Sequence, residues 1–336
     1  MLFNPPQSKD HVRDRFRNIP RYLLRVVSPR SVGANDTTWI RSDSAEQQAA
    51  HSTVDLFAMR DDEAAAMINA HLRWEGGYDN LVSWTSSQLF AIQYMLWLHT
   101  ARGCSTSAIK LFVLDTSALP AGVFLRDIDL LEAYHEHSPR LDDLYILRRR
   151  RHKNYQGYFY FGEYLSQGCL NIEGRVQVVS LAALLENGLS TLRPEFADMS
   201  ESRRGLANQV IAMREAFLYP PRLITENEAR AVIRLSELFE PSWRLPMAAY
   251  FLALWPRTLQ DGDMINMFSN RLMMDSYSFR LPYIRVAGLT DTDKQSCSEL
   301  GTKVWSCAEL PEVTQFEVII RAIYEEFVAT KTLGTF

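Results

Sequence analysis

A chain of 336 residues, 47% of them hydrophobic, is long enough to bury one large core or two modest ones. Its formal net charge of -4 argues against a protein that coats nucleic acid by bulk charge, and the four scattered cysteines (Cys104, Cys169, Cys297, Cys307) lack the C-x-x-C spacing of a zinc site or the density of a secreted disulfide scaffold. The opening "MLFNPPQSKDHVRDRFRNIP" carries no apolar targeting region and the run "MAAYFLALW" is too short to span a bilayer, so a cytoplasmic protein with no membrane partner is expected.

In chain order, residues 1–20 are polar and rich in Pro, Arg and Asp, which predicts a flexible arm. "RYLLRVVSP" then reads as a buried strand through Tyr22, Leu23, Leu24, Val26 and Val27, ended by Pro29 and Gly33. A helix over 61–74 follows, with Asp61 and Asp62 at its positive end. "NLVSWTSS" is a short strand or turn feeding a strongly apolar helix over 88–101. Strands are predicted in "AIKLFVLDTS" and "GVFLRDIDLL", then a charged helical stretch, then strands in "GYFYFGEYL" and "RVQVVSL". The regular βαβ alternation of a doubly wound fold is missing, so residues 21–195 are expected to form an α+β domain whose sheet is mixed or antiparallel.

Residues 196–336 read as a helical domain packed on the first. "SRRGLANQVIAMREAFL" stops at Pro220 and Pro221, Thr225 with Glu228 makes a capping box for "ENEARAVIRLSELF", and "RLPMAAYFLALW" and "EVTQFEVIIRAIYEEFVAT" supply further helices.

The string motifs of phosphate-binding, dinucleotide-binding, zinc-protease and nucleophile-elbow sites do not occur, and His135 and His137, two apart, cannot share one helix face, so no metal site is expected. Five features remain. Arg25 lies among apolar residues, sharing strand parity with Leu23 and Val27, and needs a buried acid or an anionic ligand. Ser83, Thr85, Ser86 and Ser87 gather ahead of a helix, more hydroxyls than one N-cap uses, which suits an anionic substrate group. Asp127, Asp129 and Glu132 form an acidic group in which the two aspartates share a face if the strand continues. Glu163, set among Tyr158, Phe159, Tyr160, Phe161 and Tyr164, is the first candidate for a catalytic acid or base. The run Arg148, Arg149, Arg150, Arg151 with Lys153 is a solvated face or an anion-binding edge.

An Arg on the first strand, a Ser-x-Thr before a helix and a Glu on a later strand resemble the layout of ADP-ribosyltransferases, in which Arg and Ser hold NAD and Glu stabilises the ribosyl cation. That resemblance maps to Arg25, to Ser83 with Thr85, and to Glu163. Phe161 stands where arginine-modifying members carry a second acid.

The blocks "RYLLRVVSPRS", "NLVSWTSSQLFAIQY", "GVFLRDIDLLEAY" and "YFGEYLSQGCLNIEGRVQVVS" are similar to a domain of unknown function widespread in filamentous fungi, and through it resemble the arginine-containing cyclodipeptide synthases of secondary metabolism. That resemblance implies arginyl-tRNA and a second amino acid or aminoacyl-tRNA as partners, a diketopiperazine as product, and no cofactor. The family's D-D-x-x-E string is represented here by Asp127, Asp129 and Glu132, with one extra residue between the aspartates. Under it the arginine run contacts tRNA phosphates, a carboxylate cluster pairs with the substrate guanidinium, and Glu163 or Asp129 is the general base. Arg25, Ser83, Thr85 and Ser86 are the expected substrate-binding residues; the alternatives are an NAD-dependent ADP-ribosyltransferase or NAD glycohydrolase-like enzyme, with NAD as cofactor, and a non-enzymatic interaction module.

Overall fold

The computed structural model describes residues 1–77, 79–154, 157–197, 205–258, 261–267 and 309–333. Cys297, Cys307 and the expected helix start at 202–204 lie outside the described residues. The fold is α+β, and the chain divides into two compact units: Met1–Ser87, Leu111–Asn154 and Tyr158–Val178 form one, and Gln88–Lys110, Tyr155–Gly157 and Val179–Phe336 the other.

The strands are β1 (Tyr22–Val27), β2 (Trp39–Arg41), β3 (Leu81–Thr85), β4 (Lys110–Asp115), β5 (Leu125–Arg126), β6 (Glu163–Gln167), β7 (Cys169–Asn171) and β8 (Val176–Ser180), and the first unit holds all of them but the first residue of β4 and the last two of β8. Six of them form one sheet in the order β5-β6-β3-β1-β4-β8, while β2 and β7 pair separately. β3 is antiparallel to both β1 and β6, in a register that sets Ser83 opposite Leu165 and Thr85 opposite Glu163.

Strand alternation separates two apolar clusters in this unit. Val82, Trp84 and Tyr164 join Leu23, Phe112 and Phe124 in one. Leu81, Leu125 and Leu165 join the other, which also takes Ala64, Ala65, Ile68 and Leu72 of α1 (Asp61–Leu72), Leu130, Leu131 and Tyr134 of α3 (Asp127–Tyr134), and Leu141 and Leu144 of α4 (Pro139–Arg149). The odd-numbered positions of β3 and β6, Ser83 and Glu163 included, therefore lie on the face that these helices cover.

Two expectations are corrected. The segment 1–20 is not a loose arm: Phe3 and Val12 are buried in the helix-covered cluster, and the N-terminal amine donates to the Cys169 carbonyl at 2.9 Å. Phe3 and Val12, with Phe16 packed beside them, are enough to anchor it because they join an existing core. The strand in "GVFLRDIDLL" ends at Arg126, and Asp127 opens a helix, where an acidic first turn meets the positive helix end.

In the second unit the longer helices are α2 (Gln88–Thr100), α5 (Leu206–Arg214), α6 (Glu226–Ser236), α7 (Pro241–Leu252) and α8 (Pro311–Leu333). The capping box forms as expected, Thr225 accepting from the Glu228 N–H while the Glu228 carboxylate accepts from the Thr225 N–H at 3.0 Å. Glu228 also receives the buried Arg257 guanidinium at 2.9 Å. Arg214 and Glu312, both nearly sealed from solvent, pair at 2.8 Å. Among the described residues no helix is long and apolar enough to cross a membrane.

Candidate functional site

Glu163 is the first residue of β6, and both of its carboxylate oxygens are engaged. The Ser83 hydroxyl donates to Oε1 at 2.8 Å, and Arg148 Nη2 donates to Oε2 at 2.9 Å. Arg148 reaches inward because Leu141, Leu144 and Arg148 recur at i, i+3 and i+7 on α4, so the arginine extends the helix's core-facing stripe. Its Nε lies 2.9 Å from Asp127 Oδ2, which makes one guanidinium common to two acids.

Asp127 occupies the matching stripe on α3 with Leu131 and Tyr134, and no part of it is solvent-exposed. Burial pushes its carboxyl up to about 7, against the opposing pull of Arg148 and with a further push from Glu163. For Arg148, burial works against the charge, but Asp127 and then Glu163 outweigh it and hold the guanidinium cationic. Asp127 is fully enclosed, and its contact holds the Arg148 guanidinium in place.

On the other side of the hydroxyl stands His71. Its Nε2 is 2.8 Å from Ser83 Oγ, and its Nδ1 donates to Asp79 Oδ1 at 2.9 Å. Asp79 is itself fixed, since the same oxygen accepts the Leu81 N–H at 2.8 Å. The sequence reading missed both residues. The available signal was the α1 stripe: Ala64, Ile68 and Leu72 are buried and His71, at i+7 from Ala64 and i+3 from Ile68, borders them.

The other expected residues separate into groups. Arg25 reaches the Ser83 carbonyl oxygen at 2.8 Å and Asn35 Oδ1 at 2.8 Å, but the β1–β3 register gives its side chain the parity of Trp84, not of Ser83. Thr85 donates to the Phe161 carbonyl at 2.8 Å and accepts the Ser87 N–H, and Ser86 pairs through its backbone with the Gly162 carbonyl at 2.9 Å, so both hold the strand end together. Gly162, with a φ of 68°, supplies the left-handed turn before Glu163.

The three acids of the expected cluster are dispersed by the helix that carries them. Asp127 turns to Arg148, Asp129 takes a bidentate pair from Arg126 at 2.7 and 2.6 Å, and Glu132 is exposed. Positions two apart on a helix diverge, which is why a shared face holds only for a strand. Arg149, Arg150, Arg151 and Lys153 remain exposed, with Arg149 over the Tyr145 ring and Arg151 over the Tyr158 ring. Among the described residues no group of His, Cys, Asp and Glu is placed to hold a metal ion.

Fold and site together define an α+β domain with a polar cluster under the helix-covered face of an antiparallel strand pair. Residues 18–184, which contain every residue of that cluster, match the family described as a domain of unknown function, DUF7587. No curated protein and no solved structure matches the chain.

Proposed function

We propose that the protein is a tRNA-dependent aminoacyl transferase, an arginine-containing cyclodipeptide synthase that joins arginine from arginyl-tRNA to a second amino acid and closes a diketopiperazine. The observation that carries this reading is the meeting of the arginine run with the acids: Arg148, its first member, bonds Glu163 beside the Ser83 hydroxyl, while Arg149 to Arg151 and Lys153 stay exposed. An aminoacyl ester is already activated, so the reaction requires no nucleotide-binding loop. It requires cations for RNA phosphates, a carboxylate for a cationic amine or guanidinium, and a proton acceptor next to the ester. The exposed run supplies the first. Glu163 supplies the second and the His71–Ser83–Glu163 cluster the third. Asp129, committed to Arg126, is a structural residue in this reading, and Glu132 has no role.

The test is mass spectrometry of small molecules from cells expressing the protein alone. The expected outcome is a new arginine-containing cyclic dipeptide with wild type and none with Glu163→Gln; the absence of such a product from the folded wild type would overturn the proposal.

One observation favours a second reading, NAD cleavage by an ADP-ribosyltransferase or glycohydrolase-like enzyme. Arg25, Ser83 and Glu163, the residues that reading needs, are linked by hydrogen bonds of 2.8 Å. Arg25, however, meets Ser83 through its main-chain oxygen, from the opposite strand parity, which makes a common clamp on one ligand harder to assemble. Depletion of cellular NAD in place of a new dipeptide is its distinguishing result.

A further inference from the structure

Behind the Glu163 carboxylate, the order Asp79, His71, Ser83 has the connectivity of a nucleophilic triad: a carboxylate on Nδ1 at 2.9 Å, and a hydroxyl on Nε2 at 2.8 Å. We infer that Ser83 is a covalent nucleophile toward activated carboxylic esters, with His71 as its base and Asp79 as the positioning residue that fixes the imidazole. The inference rests on the acyl-transfer reading for its natural substrate, an aminoacyl ester, but not for its chemistry.

Three features support it. Ser83 is half-buried on a strand, so its hydroxyl is held by a rigid element yet not sealed in. The imidazole is pinned from both ends of the ring, and Asp79 is pinned in turn by the Leu81 N–H. The hydroxyl's single hydrogen also has two acceptors at the same 2.8 Å, His71 Nε2 and Glu163 Oε1. A substrate ammonium or guanidinium that engages Glu163 satisfies that carboxylate and leaves the hydrogen to His71. Binding of a cationic acyl donor thereby directs the proton toward the base.

The step balances. Ser83 Oγ attacks the ester carbonyl carbon and its proton passes to His71 Nε2. The bond from that carbon to the alcohol oxygen breaks, and His71 returns the proton to the departing alcohol, leaving acyl-Ser83. In the second half a free amine attacks the acyl carbon, His71 takes the amine proton, and Ser83 leaves as the hydroxyl with that proton. No oxidant, reductant or nucleotide is consumed.

The test uses a fluorophosphonate reagent, which phosphonylates an activated serine with loss of fluoride, on the full chain. Intact-mass and peptide mapping of wild type are expected to place one adduct on Ser83. His71→Ala is expected to slow labelling on the order of 10²-fold or more, the usual contribution of a positioned base, and added imidazole is expected to restore part of it, which a merely structural role for His71 would not allow. Asp79→Asn is expected to slow labelling and Asp79→Glu to recover it. An unlabelled Ser83 in folded wild type, or an unchanged rate in His71→Ala, would overturn the inference. The two proposals fail separately: labelling without any cyclic dipeptide sinks the synthase reading alone, and undiminished dipeptide formation by Ser83→Ala sinks the covalent nucleophile alone.

Discussion

At Glu163 two hydrogen bonds from two different elements converge on one carboxylate, Ser83 from the neighbouring strand and Arg148 from a covering helix. Replacing Glu163 by Gln removes the negative charge while keeping the shape, so Arg148 keeps the Asp127 carboxylate and the Phe159 carbonyl. On the proposed function, the expected result is a loss of activity on the order of 10²-fold or more with the fold retained, read by product formation beside far-UV circular dichroism. Asp127 carries a pH signature. Its carboxyl is held up at about 7, so between its ordinary value and about 7 the folded state binds a proton that the unfolded state has released. Stability attributable to Asp127 is therefore present at low pH and lost as pH rises from about 4 to about 7. Melting temperatures of wild type minus those of Asp127→Asn should fall across that window; a flat difference would contradict the assignment.

At the scale of elements, the strands and helices were legible where the chain is densely apolar over the length of one element, as in "RYLLRVVSP" and the helix over 88–101. The acid cluster was misread because "FLRDIDLLE" alternates like a strand for four residues, while its acidic first turn and the spacing of Asp127, Leu131 and Tyr134 belong to a helix. Glu163 and Ser83 were legible as polar residues in apolar surroundings. His71 and Asp79 were not, because a single histidine on a helix gains meaning only when the fold sets it against a particular hydroxyl. The arginine run divides the same way: the stripe of α4 selects Arg148 for the interior and leaves its followers outside. Replacing Arg149, Arg150 and Arg151 together by Ala should leave stability within about 0.5 kcal/mol per site, since exposed residues contribute little. On the proposed function it should weaken tRNA binding more than about tenfold at low salt and flatten its salt dependence, measured by filter binding. Equal affinity would remove the run from the RNA interface.

At the scale of the whole molecule, the helical unit has its own polar anchor. Glu228 caps α6 and holds Arg257; burial pushes its carboxyl up, but the bond from Arg257 outweighs this and brings it down to about 2. The resulting stabilisation is in place above the ordinary value of 4.5 and is lost as pH falls toward about 2. Glu228→Gln should cost about 3 kcal/mol by denaturant titration at neutral pH, because it leaves the Arg257 charge buried without its partner. The proposed function turns on what the Ser83–Glu163 site does to an activated ester. The most direct measurement is incubation of the purified full chain with arginine-labelled arginyl-tRNA and a mixture of amino acids and aminoacyl-tRNAs, followed by mass spectrometry of the small-molecule fraction. The proposed function, with Ser83 as the nucleophile, predicts labelled cyclic dipeptide from wild type and none from Glu163→Gln or Ser83→Ala. Labelled tRNA left intact by folded wild type, or dipeptide formed equally by all three proteins, would contradict it.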